Sequence, residues 1–93
     1  MEYTADDLKK VEEYAGLLMT ITDIATLLDF DEDELRDAIA NKLSGISIVY
    51  RKAKIQTILE LRSQEIELAK LGSPVAIELI QKYMIDQKLS ENG

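Results

Sequence analysis

The chain has 93 residues, enough for one domain with a single modest core, and with 46% apolar and 31% charged residues its composition is globular rather than disordered. Cysteine and histidine are both absent, which excludes disulfides, thiol catalysis, thiolate or imidazole metal ligation and the commonest general base. Four glycines and one proline supply little of the turn chemistry a β fold needs, so an all-α fold is expected, and the net charge of −7 is unevenly spread: residues 1–43 carry twelve acids against four bases, residues 44–93 six against seven.

Thr4 followed three residues later by Asp7 is a capping-box pattern, and it predicts a first helix of about fifteen residues ending near Gly16 to Met19. Its apolar stripe is Leu8, Val11, Ala15 and Leu18, with Lys9, Glu12 and Glu13 on the opposite face. Thr20 and Asp23 repeat the pattern and open a short second helix through Leu28 that buries Ile21, Ile24, Ala25 and Leu28. Asp29 and Phe30 break the chain. Asp31 then caps a third helix, with Glu34 at its third position and Leu35, Ala38 and Ile39 on the buried face. The acids of its first turn, Glu32, Asp33 and Glu34, suit the positive end of the helix dipole. The aspartates from Asp29 to Asp33 lack the glycine and terminal glutamate of a calcium loop, so no metal and no cofactor are expected.

Ser44 or Ser47 opens a fourth helix of about 25 residues to Leu71, apolar over about half its circumference. Gly72, Ser73 and Pro74 then supply in succession a left-handed helix stop, an N-cap and a first-turn proline. The fifth helix runs to about Lys88 and is also broad-faced, with Val75, Ile77, Leu79, Ile80, Tyr83 and Met84; Tyr83 and Met84 are expected in the core. Arg62 falls inside the apolar arc of the fourth helix and needs a partner, for which Glu65 and Glu78 are the candidates. Residues 1–45 are therefore read as a helix-turn-helix-like core, residues 46–89 as a long helix and hairpin for oligomerisation, and residues 90–93 as a frayed tail.

Residues 20–39 have the layout of a helix-turn-helix, with Ala25 as the small residue at the crossing and Ile24, Leu28, Phe30 and Leu35 in the core positions. Asp29 stands where glycine is common, a position aspartate tolerates. The would-be recognition helix is acidic, with Glu32, Asp33, Glu34 and Asp37 countered only by Arg36 and Lys42, so phosphate would repel it. The candidate phosphate contacts are instead Arg51, Lys52 and Lys54 beside Tyr50, a possible stacking group, with Arg36 and Lys42 as outliers. The alternative for the same residues is a solvated helix end with a few ion pairs.

Together these features resemble the small subunit of phage and prophage terminases, the DNA-packaging recognition proteins. The likeness lies in the helix-turn-helix, the run Tyr50-Arg51-Lys52-Ala53-Lys54, the triplet Glu60-Leu61-Arg62 and the joint Ala69-Lys70-Leu71-Gly72-Ser73-Pro74-Val75-Ala76, and it covers about residues 20–87. The resemblance implies a protein without catalytic residues that forms a ring, contacts viral double-stranded DNA and hands it to a large motor subunit in the cytoplasm of a bacterial host. It places Ile55, Ile58, Leu59, Arg62, Ile66, Gly72, Pro74 and Ile77 in the ring interface. The acidic third helix departs from that pattern, and no long carboxy-terminal segment for docking a motor is expected. The alternatives are an assembly protein with no direct DNA contact and a dimeric helix-turn-helix transcription regulator. No signal peptide and no membrane-spanning run are read in the sequence, and neither a membrane nor a small-molecule partner is expected.

Overall fold

Each of the first three helices starts where the sequence places a side-chain acceptor. In the computed structural model, which describes residues 2–92, these are α1 (Ala5–Gly16), α2 (Ile21–Leu28) and α3 (Glu32–Ala40), followed by α4 (Gly45–Lys70) and α5 (Pro74–Asn92). The described residues contain no strand, and the fold is all-α. Thr4 Oγ1 accepts the Asp7 amide at 3.1 Å while Asp7 Oδ2 accepts the Thr4 amide at 2.9 Å. Thr20 and Asp23 repeat this at 3.1 and 3.2 Å, and Asp31 Oδ1 accepts the Glu34 amide at 2.9 Å. Each cap satisfies an amide that the helix itself cannot, a contribution of about 1 kcal/mol. Of the two serines offered for α4, Ser44 is the cap, its Oγ accepting the Ser47 amide at 3.2 Å.

The helix ends are less regular. At the end of α1 the amides of Leu18 and Met19 donate to the carbonyls of Ala15 (2.9 Å) and Tyr14 (3.1 Å), the hydrogen-bond pair that normally requires a glycine. Here Leu18 itself takes φ 63°. The left-handed turn carries Leu18 off the buried stripe predicted for it, and its side chain is 42% exposed. Asp29 occupies the same region at φ 56°, and Gly72 at φ 92°. Around Gly72 the pattern is complete: Gly72 donates to Ala69 at 3.0 Å and Ser73 to Leu68 at 3.1 Å.

Two compact units result, Met1–Ile58 and Leu59–Gly93. The first has a core of its own, with Val11, Ala15, Ile24, Ala25, Leu35, Ile39, Ile46 and Tyr50 buried and Leu8, Leu28, Phe30 and Ala53 packed around them. It takes in the first half of α4, because Ile46, Ser47 and Tyr50 lie on that core. Tyr3 closes one side by packing its ring against Phe30, centroids 5.2 Å apart and planes tilted by 59°, and its hydroxyl is buried without a hydrogen-bond partner. Burial first, and then the carboxylates of Glu34, Asp31 and Asp7, raise the Tyr3 phenol above its ordinary 10.0.

The second unit is the hairpin of the last part of α4 with α5. Its buried apolar residue is Ala76. Tyr83 is half-buried, and Met84, expected in the core, is exposed. α5 also continues past Lys88: Ser90, Glu91 and Asn92, read as frayed, are helical, and Gly93 lies outside the described residues. No helix breaker interrupts this stretch, so propagation continues.

Replacing Leu18 by glycine removes the left-handed penalty but also gives up the covered part of a residue that is 42% exposed, so in chemical denaturation Leu18→Gly is expected to be about 1 kcal/mol more stable than Leu18→Ala. Leu18→Ala, which keeps the penalty, brings no gain. For Tyr3 the fold favours the neutral phenol, so its contribution is complete below pH 10.0 and is lost as pH rises through the higher folded-state value. Denaturation curves on either side of pH 10.0 should accordingly show a shallower alkaline loss in Tyr3→Phe than in the parent.

Candidate functional site

The basic run sits where α3 ends and α4 begins, and the local chemistry dictates what it touches. The last carbonyls of α3 have no partner inside the helix. Ser44 Oγ lies 2.7 Å from the Ala38 carbonyl, and Ser47 Oγ, fully buried, donates to the Ile39 carbonyl at 2.6 Å. Arg51 completes this knot: its Nε donates to Ser47 Oγ at 2.9 Å and its Nη2 to the same Ile39 carbonyl at 3.2 Å. A guanidinium is thereby held at the negative end of the α3 dipole, which has no basic residue in its own last turn.

The remaining basic candidates divide into engaged and unengaged groups. Tyr50 is 9% exposed and belongs to the core, so its ring is not presented for stacking on a base; Lys54 Nζ lies over it, 4.9 Å from the centroid. Arg36 spans α2 and α3, with Nη2 3.3 Å from Thr22 Oγ1 and 3.4 Å from Glu32 Oε2. Lys42 and Lys52 are exposed, and neither forms an ion pair among the described residues. Of the six residues proposed for DNA, these two have ammonium groups uncommitted to the fold.

Beside this knot α1 and α4 run alongside each other in the same direction, Leu8 near Gly45 at one end and Gly16 against Thr57 at the other. Thr57 Oγ1 donates to the Gly16 carbonyl at 2.6 Å, so a hydroxyl of α4 again satisfies the end of another helix. Between them lies an open groove of about 780 Å³. Lys9, Glu12 and Glu13 form its α1 rim, Lys52 stands on the α4 side, and Val49 and Ala53 line it. Sequence reasoning missed this groove, since no local pattern reports which two helices leave a channel between them.

The residues proposed for assembly are divided between the units, with Ile55 and Ile58 in the first and Leu59, Arg62, Ile66, Gly72, Pro74 and Ile77 in the second. Ile55 (64%), Leu59 (56%) and Ile66 (41%) are exposed along α4, as is Ile77 on α5, while Ile58 and Arg62 are half-buried. Leu71 and Val75 flank the Gly72 to Pro74 joint and are also exposed. Neither Glu65 nor Glu78 forms an ion pair with Arg62; its guanidinium stacks on Tyr83, 4.4 Å from the ring centroid. Arg62 Nε and Glu65 Oε2 are buried without hydrogen-bond partners.

No family model, curated protein or solved structure matches the chain. Among the described residues no group of acids could hold a metal ion, and no helix is long and apolar enough to cross a membrane.

Arg51→Ala should lower stability by about 1–2 kcal/mol, because it leaves the Ile39 carbonyl and Ser47 short of a charged donor. Lys52→Ala, one residue along, should change it by less than about 0.5 kcal/mol. Equal effects in thermal unfolding would contradict the capping role of Arg51.

Proposed function

We propose that the chain is a non-catalytic, homo-oligomeric DNA-recognition adaptor of the kind implied by its resemblance to phage terminase small subunits, passing viral DNA to a large motor subunit in the bacterial host. The observation that carries the assembly part is the hairpin. It buries Ala76 and leaves Leu59, Leu61, Ile66, Leu68, Leu71, Val75, Ile77, Met84, Ile85 and Leu89 exposed. Full burial of a large apolar side chain is worth about 1.5–3 kcal/mol, of which each of these partly exposed residues leaves a share unrealised, and a surface of that kind is characteristic of an interface. Support for DNA contact comes from the helix-turn-helix layout of α2 and α3 and from the unpaired ammonium groups of Lys42 and Lys52. Multiplied around an oligomer, two weak cationic contacts per copy add through avidity.

A second reading, an assembly protein with no direct DNA contact, is favoured by the internal use of Arg36, Tyr50, Arg51 and Lys54. Light scattering on the full chain tests the assembly common to both: a mass several times the 10.5 kDa of one copy is expected, and a clean monomer at micromolar concentration would overturn it. DNA titrations at increasing salt separate the two. The adaptor reading expects binding that weakens steeply with salt and is lost in Lys42→Ala/Lys52→Ala, a variant that spares the helix caps. An oligomer that ignores DNA would leave the assembly reading alone.

A further inference from the structure

The groove between α1 and α4 and the exposed end of α5 carry matching patterns. Along α1 the groove presents Gly16, then Glu12 and Glu13, then Lys9: a small residue, an acidic pair and a cation, four and three residues apart. Along the exposed face of α5 the order is Met84 and Ile85, then Lys88, then Glu91, with nearly the same spacing and opposite charges. Laid antiparallel to α1, α5 would set its apolar pair over the one position with no side chain, Lys88 against Glu12 and Glu13 on the α1 rim, across from the single cation Lys52 of the α4 side, and Glu91 against Lys9. Leu89, which is exposed, would cover Ala53, with Ile85 one turn away toward Thr57.

We propose that the α1–α4 groove of one copy receives the last turns of α5 from a second copy of this chain. The apolar contact supplies the affinity and the charges fix direction and register, since rim ion pairs select partners more than they strengthen binding. The uneven charge of the chain points the same way. Residues 1–43, which supply only the α1 wall of the groove, carry −8, and residues 44–93, which supply its α4 wall and all of α5, carry +1, so the acidic amino-terminal segments of two copies repel each other and that wall prefers the carboxy-terminal helix of a neighbour. Such a contact is heterologous: every copy offers one groove and one helix, and the assembly closes into a ring or extends as a filament according to the rotation between copies. The proposal rests on the assembly reading and adds to it the surface that gives the assembly its direction.

Cysteine pairing in the full chain tests it, because the protein has no cysteine of its own. Glu12→Cys and Lys88→Cys proteins, distinguished by tags of different size, are mixed, oxidised and resolved by mass, with Asp33→Cys plus Lys88→Cys as the collision control. A mixed-chain disulfide about tenfold above the control is expected, since bridging requires the two Cα atoms to come within about 7 Å. Lys88→Glu should weaken association about tenfold, and adding Glu12→Lys and Glu13→Lys should restore it. An oligomeric parent whose mixed-chain yield equals the control overturns the groove contact and leaves assembly standing. A monomeric parent overturns both. Circular dichroism of the variants, all at exposed positions, confirms that each retains its helices.

Discussion

The first unit depends on one constraint, the need of helix C-termini for hydrogen-bond donors, and α4 meets it twice. Thr57 donates to the last turn of α1 and Ser47 to the last turn of α3, with Arg51 joining at the same carbonyl. A helix end buried without such partners would cost about 1–3 kcal/mol for each orphaned carbonyl. α4 is thus more than a hydrophobic partner for the three-helix core. Its hydroxyls satisfy carbonyls at the ends of α1 and α3, and so tie α4 to both helix ends.

The same economy limits the basic residues. A cation that caps a helix or covers a core aromatic is held in place, and holding it removes donors that a phosphate would otherwise receive. Arg51, Lys54 and Arg36 each serve a neighbour in the fold. The acidic first turn of α3 adds to this, because an anionic ligand approaching it meets Glu32, Asp33 and Glu34 before any cation. The molecule therefore directs its unspent interaction capacity toward apolar contact, and that capacity is concentrated in the hairpin.

The two units differ in kind. The first encloses Ile24, Leu35 and Val11 completely, as a small domain must to offset the entropy of its ordered backbone. The second is two helices held by a glycine-stopped joint, a cation–π stack and little buried surface. Two helices alone bury too little to stand in water.

The sequence by itself determined the all-α class, the three side-chain caps at Thr4, Thr20 and Asp31, and the stop and restart at Gly72 to Pro74. All are interactions between residues within about four positions of each other, so the order of residues encodes them directly. It also identified Val11, Ala15, Ile24 and Leu35 as core, because helical periodicity reports which face is apolar. Only the tertiary structure decided that Leu18 turns out of its stripe, that Met84 lies exposed, that Tyr50 and Arg51 serve the fold, and that α1 and α4 leave a groove. Those outcomes depend on partners distant in the chain, such as Thr57 reaching Gly16 across 41 residues. Periodicity shows that a face will be buried or a donor used; which element does so is set by how the helices pack.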